Sequence, residues 1–426
     1  MESHDIYLGR GINGDARSGN GRSTLVLGPS RSGKTTSLVI PNLLMATSAA
    51  VSTSTKNDVA ETMSRARSDV PQLLYDPSGT VECPAHTHAV GFSFLKAATT
   101  WDGALLITAS MAAASRIGRA RSDDHWNERS QALMSVLLHA YALDHRPLKE
   151  LTLAVDRRHA EDARDVLDRH YDSPHQSLAL LEGILSTEER ELSGIWSTTS
   201  GLLRGLRTDA ARDAARRPEI DIEEFFRSKA QLHVVGPSRH QALNVPLVVG
   251  AIDQLVHHTY DTYSQGSRLL LTLDELANVA PLPQLPSVVS EGGGQGVVTL
   301  ACLQDLSQAR ERWGIRGDSF LSLFPTAIVL PGIADRPTLE LLSMLGGDSV
   351  VRQQSLQTTA RGRLSGMNFP SIRQKRVSPQ EVAQLRPGFG LGLGSNKQLR
   401  WIELTPSYRD ARFAPYLARE SRARSR

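Results

Sequence analysis

The sequence predicts an α/β protein built on a mostly parallel central sheet, with an all-α insertion. Three observations predict it. Short apolar runs recur along the chain and alternate with helical stretches, which is the pattern of parallel βα units. One run, Leu269–Leu273 (LLLTL), is apolar but for Thr272, as expected of a strand buried on both faces of a parallel sheet. Between about residues 111 and 228 the alternation stops and helical periodicity takes over.

Taken in order, residues 1–22 lead in. The segment HDIYLGR is expected as an edge strand, and GINGDARSGNGR, rich in Gly, Asn and Ser, as a loop. Leu25-Val26-Leu27 is the first core strand. The helix after it should kink or end at Pro41. Residues 49–53 (AAVST) and Leu73-Leu74-Tyr75 are expected strands, the latter running into the turn Asp76-Pro77-Ser78-Gly79, with a helix over 58–67 between them. Residues 126–143 place Ala132, Val136 and Ala140 on one helical face, and 159–171 and 174–185 are also helical. Ser186-Thr187-Glu188-Glu189 has the form of a capping box, opening a helix towards Leu206. Strand character returns at 232–235, 297–302 and 327–330, with a helix over 245–260, and 388–394 running into 400–404 is expected as terminal strands.

At 426 residues the chain suggests two or three domains and a large core. A net charge of +3 says little about partners. Cys83 and Cys302 lie far apart without metal-ligand spacing, so neither a disulfide framework nor a zinc site is expected. His86, His88, His257 and His258 form no metal pattern either. No apolar run reaches the ~18 residues of a membrane helix, and MESHDIYLGR lacks signal-peptide character. The expectation is a cytoplasmic protein, or one held at the inner face of the membrane by another subunit.

The most informative stretch is STLVLGPSRSGKTT, residues 23–36. Gly28, Pro29, Ser30, Arg31, Ser32, Gly33, Lys34 and Thr35 form the pattern G-x-x-x-x-G-K-[ST] of a phosphate-binding loop. Gly28 and Gly33 allow a tight turn and close approach to phosphate. Backbone N–H groups and the following helix, from Thr36 on, face the anion. Lys34 would reach the β- and γ-phosphates of ATP, and the Thr35 hydroxyl would sit on Mg²⁺. The plainer alternative is a Gly/Ser-rich turn, against which the strand before and the helix after count.

Asp274 and Glu275 end the apolar strand at 269–273. Burying unpaired carboxylates is costly, so they belong at the sheet's carboxyl edge, where open α/β folds bind ligands. Asp274 fits a Mg²⁺ carboxylate and Glu275 the base that polarises an attacking water. A solvated acidic pair is the alternative. Gln304, just after the next strand, is placed to contact the γ-phosphate or that water; a surface glutamine is the alternative.

Two regions are basic. Residues 349–380 carry Arg352, Arg361, Arg363, Arg373, Lys375 and Arg376 with no acid, and 407–426 carry six arginines against Asp410 and Glu420. Either could neutralise nucleic-acid phosphates; a solvated surface and a loose tail are the alternatives. Few aromatics interleave these charges, so base stacking by them is not indicated.

With these residues in place the chain resembles the TraG/TraD-type coupling ATPases of conjugative type IV secretion, within the FtsK–HerA class of P-loop motors. The resemblance spans roughly residues 6–410. It is carried by YLGR, GPSRSGKTTSLVIPNLL, STSTKNDV, YDPSG, DDHWNERSQALMSVLLHAYAL, LLLTLDELANVAPLPQLPSVVSEGGGQG, CLQDLSQARERWG and MLGGDSVVRQQS. It implies a RecA-like nucleotide-binding domain in two pieces, 1–110 and 229–410, with the all-α domain 111–228 inserted and a basic tail at 411–426. It implies Walker A roles for Lys34 and Thr35, Walker B roles for Asp274 and Glu275, and a third-motif role for Gln304. It implies a homo-hexamer that hydrolyses ATP, translocates DNA and brings a relaxase–DNA complex to the secretion channel. The all-α domain is the part expected to meet partners. An FtsK-like translocase and a nucleotide-gated receptor with little hydrolysis are the competing expectations.

Two departures accompany the resemblance. Family members usually carry N-terminal membrane helices, and none is seen in this sequence, so the expectation is either a separate membrane-anchored partner or a soluble relative. Many carry Arg where this chain has Glu291-Gly292-Gly293-Gly294-Gln295-Gly296, so a trans-acting finger is missing from that segment. Arg310 and Arg312 are substitutes by proximity only. Turnover is therefore expected to be slow or to depend on a partner.

Overall fold

The computed structural model describes residues 5–115, 124–173, 175–314, 319–352, 355–358, 364–368, 371–394 and 398–418. Its strands are β1 (Tyr7–Gly11), β2 (Gly14–Arg17), β3 (Thr24–Leu27), β4 (Ala49–Ser54), β5 (Gln72–Tyr75), β6 (His88–Ala89), β7 (Gln231–Val235), β8 (Leu269–Leu273), β9 (Val297–Leu303), β10 (Thr326–Val329), β11 (Asp348–Arg352), β12 (Ser355–Thr358), β13 (Leu364–Asn368), β14 (Ser371–Lys375), β15 (Phe389–Leu393) and β16 (Leu399–Glu403). Twelve of them make one sheet in the order β2-β1-β16-β15-β10-β3-β9-β8-β4-β7-β5-β6. From β10 to β6 every neighbour is parallel. The β10–β15 pair and those beyond it are antiparallel. The mixed, mostly parallel sheet expected from the sequence is present.

Alternation along the parallel strands sends side chains to two cores. Leu25 and Leu27 of β3 join one apolar cluster with Val51, Leu271, Leu273, Ala301 and Val329. Val26 faces the other, with Leu270, Leu300, Cys302, Ile328 and the helix residues Leu38, Val39 and Leu43. Strands β8 and β9 are buried along their whole length, and each fully buried Leu or Val contributes about 1.5–3 kcal/mol.

Between β6 and β7 the chain is helical: Trp101–Ser115, Asp124–Leu143, Leu148–Arg157, Glu161–His170, Gln176–Leu185, Glu189–Leu202 and shorter turns. These helices join the first cluster through Ile107, Met111, Val136, Leu137 and Trp196. The long helix Gln241–Thr262 packs against Trp101–Ser115 and the sheet.

Three local expectations fail. Residues Gly14–Arg17 are not loop but strand β2, which forms a hairpin with β1 through Ile12-Asn13. Glycine-rich composition hid the pairing, and β2 rather than β1 is the sheet edge. The helix after the phosphate loop does not end at Pro41 but runs to Met45. Residues Thr35–Val39 wind as a wider π turn just before the proline, which changes the bonding that Pro41 would have interrupted. Ser186 is no N-cap: its N–H donates to Glu182 O and its hydroxyl to Gly183 O, so it closes the preceding helix. The next helix starts at Glu189 with Glu188 as an N-cap that lacks a side-chain bond. A true capping box occurs at Ser378 and Glu381, where each side chain bonds the other's backbone N–H.

Candidate nucleotide site

The site is built where β3, β9 and β8 end side by side. Gly28 N–H donates to Leu303 O at 3.0 Å, and Leu330 N–H to Leu27 O at 2.7 Å, so the loop leaves β3 clamped between the ends of β9 and β10. A Cβ on Gly28 would lie 2.7 Å from the Leu330 Cβ, which leaves no room for a side chain. Gly33 has φ +95°, a left-handed conformation that favours glycine. Arg31 also has positive φ, 66°, on the exposed arch of the loop beside Ser30. The loop's backbone is therefore bent at two points before the helix begins.

Lys34 is buried. Its Nζ donates to Gly28 O at 2.6 Å and Pro29 O at 2.9 Å, so the loop has closed on its own cation. Thr36 Oγ1 donates to Gly33 O at 3.4 Å. The Ser32 hydroxyl is buried without a partner, an orphan polar atom inside the loop.

The acidic strand end meets this loop directly. Thr35 Oγ1 donates to Asp274 Oδ2 at 2.5 Å, across 239 residues of sequence. Asp274 is buried, and burial pushes its carboxyl pKa up; the Thr35 hydroxyl and the Lys34 charge oppose that shift. The Asp274 backbone is held too: Thr53 Oγ1, at the end of β4, donates to Asp274 O at 2.8 Å. Glu275 follows with φ 54° and ψ 41°. A non-glycine residue in this region is strained, and such strain concentrates at functional sites. Asn278 Nδ2 donates to Glu275 Oε2 at 3.3 Å. Thr53 and Asn278 carry no sequence signal of their own; only the strand order makes Thr53 a neighbour of Asp274.

Gln304 follows β9, the strand inserted between β3 and β8. Leu303 pairs with Leu27 and Ala301 with Leu273, so Gln304 stands at the same edge as Gly28 and Asp274. Its backbone N–H donates to Gln308 Oε1 at 2.8 Å. Arg310, in contrast, donates to Asp335 Oδ2 at 2.7 Å within the subunit. The segment Glu291–Gly296 packs tightly: a Cβ on Gly293 would lie 2.0 Å from Gly21 O, and one on Gly292 3.1 Å from Val297 O. Only at Gly294 is the space open.

A hollow of about 920 Å³ lies elsewhere, among the helices, beside Trp126, Arg158, Arg204 and Arg207, with no phosphate-loop residue in its lining.

Of the basic stretch, Arg373, Lys375 and Arg376 are exposed on or beside β14, and Lys375 pairs with Asp348 at 3.2 Å. Arg361, Arg363, Arg419, Arg422, Arg424 and Arg426 lie outside the described residues, as does the side chain of Arg352. Arg412 is folded onto the body, bonded to Asp410, Asp15 and the Tyr7 hydroxyl. Among the described residues no helix is long and apolar enough to cross a membrane.

A phosphate loop after the first core strand, with a further strand between it and an acidic strand end in a mostly parallel sheet, defines the RecA-like P-loop ATPase fold. The family model for type IV secretory system conjugative DNA transfer matches residues 4–388, and the chain belongs to that family. Solved structures share the fold. The bacterial conjugative coupling protein TrwBdeltaN70 in an unbound form is 20% identical with a TM-score of 0.65, covering 92% of this chain and 87% of that one. The plasmid coupling protein TrwB in complex with an ATP analogue, ADPNP, is 19% identical with a TM-score of 0.67, over 92% and 88%. VirB4 of Thermoanaerobacter pseudethanolicus is more distant, at 14% identity and a TM-score of 0.52 over 95% and 97%. No curated protein sequence matches significantly.

Proposed function

We propose that this chain is an ATP-driven motor that delivers relaxase-bound DNA to a type IV secretion channel. The observation that carries the proposal is the Thr35–Asp274 hydrogen bond, which joins the phosphate loop and the acidic strand end into one site. A structural neighbour of the same fold, TrwB, is described in complex with ADP and Mg²⁺.

The residues fit Mg²⁺. A hydroxyl and a carboxylate are hard oxygen donors, which suits an ion that takes its remaining ligands from water and phosphate. Thr35 and Asp274 would hold it, and bound there it would neutralise charge on the β- and γ-phosphates. Lys34 exchanges the carbonyls of Gly28 and Pro29 for phosphate oxygens. The backbone of Pro29–Thr36 cradles the phosphate chain, and the buried Ser32 hydroxyl gains a partner. Glu275, steadied by Asn278, orients the attacking water. Gln304 contacts the γ-phosphate or that water.

Residues 1–110 and 229–410 are assigned to nucleotide binding, 111–228 to partners, and 411–426 to a basic tail. The exposed cations beside β14 meet DNA phosphates, six copies assemble as a ring, and a membrane-anchored partner holds the ring at the inner face of the membrane. A receptor with slow turnover is the second reading. It is favoured by Gly293, where a Cβ would lie 2.0 Å from Gly21 O, and by Arg310, which is bonded to Asp335.

The test is steady-state ATP hydrolysis with and without single- and double-stranded DNA at two salt concentrations. DNA-stimulated turnover, weakened by salt and lost in Glu275→Gln, is the expected result. ATP binding without turnover under all conditions would favour the receptor.

A further inference from the structure

The phosphate loop has two flanks. On the side of β9 and β8 stand Gln304, Asp274 and Glu275, where the terminal phosphate reacts. A nucleotide lying along the loop must put its base on the other flank, towards β10, β15, β16 and β1. That flank is occupied by the turn that follows β16. Ser407 N–H donates to Thr36 O at 2.9 Å, which ties the turn to the first residues of the phosphate-loop helix. The turn is closed by Arg409 N–H on Pro406 O at 2.8 Å and Asp410 N–H on the same oxygen at 3.1 Å. Tyr408 is at its tip.

This turn is rigid for reasons that can be named. The Asp410 side chain is fully buried and accepts from Arg412 and from Arg10. Those cations hold its carboxyl pKa down, to about 2. Arg412 reaches on to Asp15 and the Tyr7 hydroxyl. The turn is thus bolted to β1, β2 and the phosphate-loop helix together. Yet the residue it presents, Tyr408, is 56% exposed. The Arg409 guanidinium lies 5.6 Å from the centroid of its ring. The ring is thus held at a fixed place, one residue from a backbone bond to Thr36, with part of its surface open to a ligand. The Ser407 hydroxyl beside it is buried without a partner.

We propose that Tyr408 is the platform on which the nucleotide base stacks, with the Pro406–Arg409 turn as the base-side wall of the site. The proposal rests on the nucleotide-binding reading above. Stacking uses the π-face that every base has, so the platform adds affinity without choosing between adenine and guanine.

The test compares the dissociation constants of ATP, GTP and inorganic tripolyphosphate for the full chain, Tyr408→Ala and Tyr408→Phe. Tyr408→Ala should weaken ATP and GTP by a similar factor, about ten-fold, and leave tripolyphosphate unchanged. Tyr408→Phe should bind all three as the unaltered chain does. Unchanged ATP and GTP binding in Tyr408→Ala would overturn the platform, as would equal weakening of tripolyphosphate, which would make the turn a support for the phosphate loop instead. If the unaltered chain binds neither ATP nor tripolyphosphate, the nucleotide-binding reading itself falls, and the platform with it.

Discussion

The sheet and the helices between β6 and β7 treat polar groups in opposite ways. At the sheet, several polar side chains are buried and fixed by specific partners. Thr53 holds the Asp274 backbone, Thr35 its carboxylate, and His233 sits between Ser52 Oγ at 2.7 Å and Gln72 Oε1 at 2.9 Å. Among the helices, charges pair in the open: Arg207 with Asp156 at 2.8 Å, Arg164 with Glu182 at 2.6 Å, and Arg146 with Asp144 and Asp162. Such exposed pairs are worth about 0–1 kcal/mol and are screened by salt. The difference teaches where each region can change. The sheet's polar groups are held by one another, whereas the helical surface can exchange its ionic partners at little cost. His139 is the helical counter-example, with Nδ1 donating to Ala98 O and Nε2 accepting from the Tyr171 hydroxyl.

The sharpest way to break this comparison is at the site. Lys34→Ala and Glu275→Gln should each lower ATP turnover by about 100-fold or more, with thermal melting little changed. Turnover that survived either change would mean that the fixed edge of the sheet is not the chemical centre. A gain is expected from Gly294→Arg, where the backbone has room for a side chain. If the missing arginine limits the rate, turnover should rise about ten-fold or more, while Gly293→Arg should destabilise the fold through the clash with Gly21.

Acid should separate the regions next. His233 is wholly buried, which pushes its pKa down to about 3. The unfolded chain then binds a proton that the folded one refuses between pH 6.5 and about 3, so stability is intact above pH 6.5 and falls with acid through that window. The slope is about 1.4 kcal/mol per pH unit. Denaturant unfolding at pH 6.5 and 5 should register a loss from this residue of about 2 kcal/mol, which His233→Gln should remove. The smallest effect is predicted for Arg207→Ala on the helical surface: a stability change within about 1 kcal/mol, measured by the same unfolding.

The parallel strands were legible because burial on both faces forces continuous apolar runs, as in Leu269–Leu273 and Val297–Leu303. The phosphate loop was legible because close approach to phosphate restricts residue types at fixed spacing. What was not legible depends on partners distant in sequence or on competition between neighbouring elements. Gly14–Arg17 has no apolar signal and is a strand only because β1 lies beside it. Ser186 satisfies a capping pattern locally, yet the helix before it claims its N–H. Thr53 and Ser407 gain their roles from the strand order and from a turn at the far end of the chain. Nothing in the sequence around Tyr408 marks its place beside the phosphate-loop helix, which follows from the Ser407–Thr36 bond.

The helical stretch leaves the sheet after β6 and returns as β7, and these two tethers differ. β6 is a two-residue strand at the outer edge, paired only with β5. β7 lies inside the sheet, matched to β4 from Ala50↔Gln231 to Ser54↔Val235 and to β5 on its other side. The two tethers are also laced to each other: Gly91 N–H donates to Pro218 O at 2.9 Å and Ile220 N–H to Gly91 O at 3.1 Å. The chain thus enters and leaves the helical stretch through one joint, whose outgoing half continues into β7, beside β4, whose end carries the Thr53 that holds Asp274.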